Sequence, residues 1–189
     1  MSFPVTPVFN AVNFKSNSPT LFSETVSGRM QSRKVGGQKW SFSATYPPMT
    51  KADFKPVWAY LVAQQGRHGV FTVTPPVVAS TSGTGTGTVT CSAASIGATA
   101  VTIAGLTGTL EAGDFIKFAG HSKVYMLTAD RNGAGAIAIE PALVAAVTSS
   151  EQMYYSDVAF TVRLANDLQE YSLGVSQLYK IELDFVEAL

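Results

Sequence analysis

Three stretches of two-residue alternation, one near the start of the chain and two at its end, constrain the fold more than any other feature. In KWSFSATY, Trp40, Phe42, Ala44 and Tyr46 share one parity, while Lys39, Ser41, Ser43 and Thr45 share the other. VAFTVRLA groups Val158, Phe160, Val162 and Leu164, and LYKIELDFV sets Tyr179, Ile181, Leu183 and Phe185 against Lys180, Glu182 and Asp184. Side chains alternate across a strand, so each stretch reads as a strand with one buried and one wet face. A further strand near residues 70–74 would have few neighbours unless the chain ends come together. The sequence therefore predicts that residues 1–78 and 154–189 fold as one core around an insertion, 79–153.

The insertion has its own composition. Between Arg67 and Glu111 lie 43 residues without one Asp, Glu, Lys or Arg. The stretch keeps β-branched residues and lacks the charge that accompanies disorder, so ordered strands are expected behind a loose linker, ASTSGTGTGTVT, at 79–90. Strands are predicted at 99–105, 114–120, 123–129 and 136–143, with turns at Gly120-His121 and Asn132-Gly133. Short strands joined by such turns make a compact meander or small barrel.

One segment, residues 46–71, breaks the β pattern. Phe54, Val57, Trp58, Leu61 and Val62 recur at helical spacing and form one apolar stripe. Thr50 and Asp53 have capping-box spacing, and Met49 is placed to staple onto Phe54. Pro56 opposes that start, because an interior proline costs about 3 kcal/mol. A cap at Asp53 puts Pro56 in the first turn, so the helix is predicted at 53–65, ending at Gly66. The expected fold class is mainly β with one helix: an antiparallel β-sandwich or split-barrel core packed by that helix, with an inserted small β-barrel module.

Charge excludes some partners. Thirteen basic side chains balance thirteen acidic ones, so no global field attracts nucleic acid or an anionic membrane. Only 14% of residues are charged, well below the usual quarter, so much of the surface is expected to be polar and uncharged or buried against partners. No apolar run approaches the 18 or so residues of a membrane span, and the opening MSFPVTPVFN lacks the basic-then-apolar pattern of a secretory leader, so neither is expected. Cys91 is the single cysteine, which excludes an intrachain disulfide and leaves a reducing cytoplasm as the simpler expectation.

Candidate chemistry is sparse. His68 and His121 have no partner at metal-ligand spacing and are expected as water-exposed turn residues. Cys91 sits in a Thr/Ala/Ser strand without a nearby cation and is expected buried and inert. Glu111 with Asp114 invites a paired-carboxylate reading, and Asp130, Asn132 and Gly133 faintly echo a calcium loop, yet hairpin turns account for both. Arg29, Arg33, Lys34 and Lys39 form a basic patch, but alternation places Trp40 and Phe42 opposite Lys39. A basic hairpin end that contacts a partner subunit is the better reading. Accordingly, no catalytic, cofactor-binding or metal residue is assigned, no cofactor is expected, and the chain reads as a non-enzyme.

Residues 27–76, SGRMQSRKVGGQKWSFSATYPPMTKADFKPVWAYLVAQQGRHGVFTVTPP, resemble the distal tail protein family and related minor tail-tip proteins of long-tailed bacteriophages. The elements carrying the resemblance are the Gly36-Gly37 turn before Trp40, the Tyr-Pro-Pro break, the Phe/Trp/Leu helix and the Gly-x-Phe entry to the next strand. Residues 108–143 are similar to an extra β-barrel module that such proteins carry inserted in the core. The resemblance implies a virion structural protein of the tail tip or baseplate, assembled in the host cytoplasm. Its partners would be sister copies in a ring, commonly six, the tail tube protein and tail-tip hub proteins, with DNA passing transiently through the bore and no membrane contact. Glu24, Glu182, Asp184 and Glu187 are the acids available to line that bore. An alternative is a host-surface carbohydrate-binding module making weak glycan contacts through exposed Tyr125, Tyr154 and Tyr155. A tail-associated cell-wall hydrolase using Glu111 or Asp114 is the third reading. Strand edges low in lysine, with only Lys117 and Lys123 between 79 and 153, would be covered by neighbouring copies.

Overall fold

The computed structural model of the protein describes residues 3, 4 and 6–189. The first part of the chain forms β1 (Ala11–Asn17), β2 (Thr20–Glu24), β3 (Met30–Lys34), β4 (Lys39–Thr45), α1 (Lys51–Ala63) and β5 (Phe71–Val73). Then come β6 (Val89–Cys91), β7 (Ala100–Ala104), β8 (Thr109–Leu110), β9 (Phe115–Phe118), β10 (Val124–Leu127), β11 (Arg131–Asn132), β12 (Gly135–Glu140) and β13 (Glu151–Tyr154). The chain ends in β14 (Phe160–Leu164), β15 (Tyr171–Leu173) and β16 (Tyr179–Glu187). The mainly-β class with a single helix and a small closed barrel is as expected.

Alternation sets the main sheet. Its order is β1-β4-β16-β14-β5, with β15 added beside β16, and every pairing is antiparallel. The apolar parity of each strand lands on one face, where Phe42 meets Phe14 at 4.8 Å and Phe185 at 4.9 Å between ring centroids. Aromatic pairs at such spacing add roughly 1 kcal/mol beyond the area they bury. The same buried face receives α1, through Tyr60 against Phe71, and the barrel, through Phe115 against Trp40 and Phe160. On the opposite parity, Glu182 and Asp184 stay exposed.

The helix begins two residues earlier than predicted. Thr50 is the N-cap: its hydroxyl donates to the Asp53 carboxylate at 2.7 Å and accepts from the Asp53 amide at 3.4 Å. Pro56 therefore lies inside the helix, not in its first turn. Its cost is offset by this cap and by the buried stripe Phe54, Val57, Tyr60 and Leu61. Tyr60 belongs to that stripe, whereas Val62, predicted to be in it, is 59% exposed. The helix closes at Gln64, before Gln65 and Gly66 turn into the left-handed region.

The barrel closes in the order β10-β12-β7-β6-β13-β9. Closure corrects the expectation that this region has bare edges for neighbours to cover, since its strands satisfy one another. Two of its strands, β6 and β13, fall outside the predicted set, and β6 takes the end of what reads as loose linker. The rest of that linker is strapped down. Asp114, 3% exposed, accepts from the Thr81 hydroxyl at 2.6 Å and from the amides of Ser82 at 2.8 Å and Glu111 at 3.1 Å. Gly83 passes so close to the opposing backbone that a Cβ there would sit 2.1 Å from the Thr109 carbonyl oxygen. Glycine here serves close approach rather than flexibility.

Burial alone would raise the pKa of Asp114, but the hydrogen bonds from Thr81, Ser82 and Glu111 outweigh it and the net shift is downward. A carboxylate with a depressed folded pKa contributes stability that is present above its unfolded value, about 3.9, and lost as pH falls through the folded one. Thermal melts from about pH 6 down to pH 2 are thus expected to show an acid-side loss that Asp114→Asn flattens, with that variant about 1.5–3 kcal/mol less stable at neutral pH.

Candidate functional site

The candidate chemical groups do not converge. Among the described residues no three His, Cys, Asp or Glu side chains come together as a metal site. Cys91 is buried, and burial, reinforced by the charge of Glu151, pushes its thiol up to about 12, so it is held as a neutral thiol. His68 is exposed in the turn after α1. His121 is not the exposed turn residue that was expected: it is 7% exposed, its Nδ1 lies 2.9 Å from the Tyr125 hydroxyl, and its Nε2 lies 3.3 Å from the Ala146 carbonyl. Glu111 is exposed beside the buried Asp114. Asp130 accepts from the Ala112 amide at 2.8 Å, so both acidic clusters are spent on turns, as the turn preferences of Asp and Asn suggest.

The tyrosine platform is also lost. Tyr125 is fully buried, with its oxygen facing His121 and accepting from the Val144 amide at 3.3 Å. Tyr155 donates to the Gly87 carbonyl at 2.8 Å, leaving only Tyr154 of the three exposed. Stacking on a sugar ring needs open aromatic faces, and this set supplies one.

What the structure does concentrate is the junction between barrel and sheet. Lys123 and Glu187, each 1% exposed, form an ion pair across it. The ammonium also donates to the Gln38 carbonyl at 3.0 Å and to Gln38 Oε1 at 2.7 Å, and sits 5.7 Å from the centre of the Trp40 ring. The carboxylate accepts from the amides of Trp40 at 3.1 Å and Val124 at 2.9 Å, while the Trp40 indole donates to the Val124 carbonyl at 2.8 Å. Lys117 adds bonds to the Ala159 carbonyl at 2.9 Å and the Thr161 hydroxyl at 3.1 Å. Burial depresses the pKa of Lys123, and the facing carboxylate opposes that shift. Both lysines counted as sparse edge guards thus face inward and join the barrel to the sheet. Glu187, expected as a bore-lining acid, cannot serve there.

Outside this junction lies a surface with no cover. Every residue of the β2–β3 hairpin is exposed, including Leu21, Phe22 and Met30, and Val26 is wholly exposed in the turn. The basic residues Arg29, Arg33 and Lys34 lie on this hairpin, and Lys34 reaches Glu140 of the barrel at 2.5 Å. Trp40 and Phe42 are buried, as alternation requires.

In this β protein the buried polar chemistry joins the barrel to the sheet, and the exposed apolar residues cluster on hairpins. Residues 71–158 match the family model described as the B domain of distal tail protein pb9. The chain is also 26% identical over 163 residues, 84% of its own length and 80% of the relative's, to the distal tail protein pb9 of Escherichia phage T5. These matches support a phage distal tail protein family for this chain, and with it the reading of a tail structural protein carried in the virion tail.

Removing Lys123 alone strands Glu187 in a dry junction, so Lys123→Met is expected to cost about 3–5 kcal/mol. Chemical denaturation of Lys123→Met, Glu187→Gln and the double variant is expected to show a double cost well below the sum of the singles, as groups in one network do.

Proposed function

We propose that this tail structural protein is a ring or adaptor subunit that joins the tail tube to the tip complex and lets DNA pass through its bore. In this reading the core, residues 1–78 with 154–189, builds the ring, and 79–153 is an inserted module carried at its periphery. The observation that carries the reading is the uncovered β2–β3 hairpin. A two-stranded ribbon whose residues are all exposed is marginal in water, and one that exposes Leu21, Phe22, Val26 and Met30 is a surface awaiting a partner. The matches supply the setting, a phage tail, and copies arranged around a common axis are the closed form that such a repeated contact takes.

The bore is assigned to the polar parity of the main sheet, where Ser41, Ser43 and Thr45 carry no charge, while Glu182 and Asp184, on the same parity of β16, border a groove beside the 165–170 loop. Glu24 belongs to the hairpin instead. The closed barrel, with its lysines directed at the sheet, acts as a fixed outer decoration of each subunit. The sheet's own outer strands, β1 and β5, each pair on one side only, and they are the edges left for sister copies or the tube.

Light scattering coupled to size exclusion, with and without purified tail-tube ends, tests this reading. The full chain is expected to form a closed multimer, alone or on tube ends. Replacing residues 18–37 by Asn-Gly, which joins β1 directly to β4, is expected to leave a folded monomer. A full chain that stays monomeric under both conditions would overturn the proposal.

A further inference from the structure

The sheet carries a second hairpin with exposed apolar residues, and strand register puts it at the far end from the first; its Tyr171 lies against Phe54 and Trp58 of α1, while Leu173 and Val175 stay exposed. β1 and β4 pair Asn17 with Lys39, and just past that end the chain continues into the β2–β3 arm. β4 and β16 pair Thr45 with Glu182, so β16 begins at the opposite end of the sheet. There β15 pairs Leu173 with Tyr179, and the 174–178 turn projects beyond. β14 pairs Leu164 with Phe185, so the 165–170 loop leaves at this same far end.

The two ends differ in charge and agree in apolar character. The arm carries Arg29, Arg33 and Lys34 against a single acid, Glu24. At the far end Asp167, Glu170, Glu182 and Asp184 line an open groove of about 510 Å³. Lys180 borders it, Lys15 shares a neighbouring depression with Asp184, and Asp167 accepts from the Arg67 amide at 3.0 Å. Exposed apolar side chains are interleaved with both sets: Leu21, Phe22, Val26 and Met30 on the arm, and Leu168, Tyr171, Leu173 and Val175 at the far end.

We infer that the arm of one copy docks on the acid-lined groove and β15–β16 hairpin of the next copy. The partner is a second copy because the chain itself displays both halves of the match, basic-apolar at one end and acidic-apolar at the other. Within one copy the two leave the sheet from opposite ends of its strands, the arm past the Asn17–Lys39 pair and the 174–178 turn past the Leu173–Tyr179 pair. Opposite charges fix the register, and the apolar side chains between them supply the dry contact. Two different patches meeting head to tail make a heterologous contact, which closes a ring or propagates along an axis. The inference rests on the multimer proposed above and names the surfaces that build it.

Charge reversal separates the two ideas. Arg29→Glu with Arg33→Glu on the arm, and Glu170→Lys with Glu182→Lys at the groove, change only exposed side chains, and unchanged circular dichroism and melting temperature confirm folding. Each pair is expected to weaken self-association by roughly a hundredfold or more, as like charges come to face each other. Mixing the two variants is expected to restore a multimer of alternating copies, because each reversed arm then meets a reversed groove. Multimers that survive both reversals would leave the ring standing and overturn this docking. So would reversals that abolish assembly without rescue on mixing. A wild-type chain that binds tail-tube ends through its arm but never itself would replace the second copy by the tube protein as occupant and overturn the inference.

Discussion

The rest of the structure depends on the buried pairing of Lys123 with Glu187 beneath Trp40. It ties β10, at the rim of the barrel, to the last residue of β16, at the centre of the main sheet. Neither charge is tolerable alone in so dry a place, so each specifies the other's position as well as its protonation. Trp40 and Val124 then lock the same contact twice more, through amides donated to one carboxylate and an indole donated back. Around these bonds the apolar cluster of the sheet takes in Phe115 and Val124 from the barrel, so the two units share a core at this point. A barrel held in this way is carried by the sheet as a fixed appendage.

That rigidity gives meaning to what is left uncovered. A single sheet with helix and barrel on one face leaves its other face polar and its hairpins standing clear. Leu21, Phe22, Val26 and Met30 on one hairpin, and Leu173 and Val175 on the other, belong to neither core cluster, whereas Tyr171 packs on Phe54 and Trp58. In the ring proposed for this chain, a subunit would be surrounded by copies of itself and by other tail proteins, and these uncovered residues would meet them. Such a subunit needs little charged surface, and 14% charged residues is in keeping with that.

Much of this was legible in the sequence, because burying one face of a strand leaves a period-two record. Trp40, Phe42 and Ala44, then Phe160, Val162 and Leu164, then Ile181, Leu183 and Phe185 are all buried on the parity that alternation assigns. β6 and β13 are too short, at 3 and 4 residues, to establish any period, and the Thr/Gly richness around β6 reads as linker. The junction went unread for a different reason. Lys and Glu are ordinarily surface residues, and the two partners lie 64 positions apart. A signal was nevertheless present. Glu187 continues the parity of Ile181, Leu183 and Phe185, Lys123 shares that of Tyr125 and Leu127, and Asp114 that of Ile116 and Phe118. A charged residue on the apolar parity of a strand marks a buried polar bond, and in each of these three cases one exists. Docking partners leave no such record within a single chain, which is why the hairpins show only as uncovered surface.

Native-state amide hydrogen exchange tests the shared junction most directly. The amides of Trp40 and Val124 donate to the same carboxylate, one from the sheet and one from the barrel. If the junction makes sheet and barrel one cooperative body, both exchange only through global unfolding, with equal free energies and equal denaturant dependence, while the β2–β3 amides exchange far faster. Opening of the barrel at a distinctly lower free energy than the sheet, with Val124 exposed while Trp40 stays protected, would contradict it.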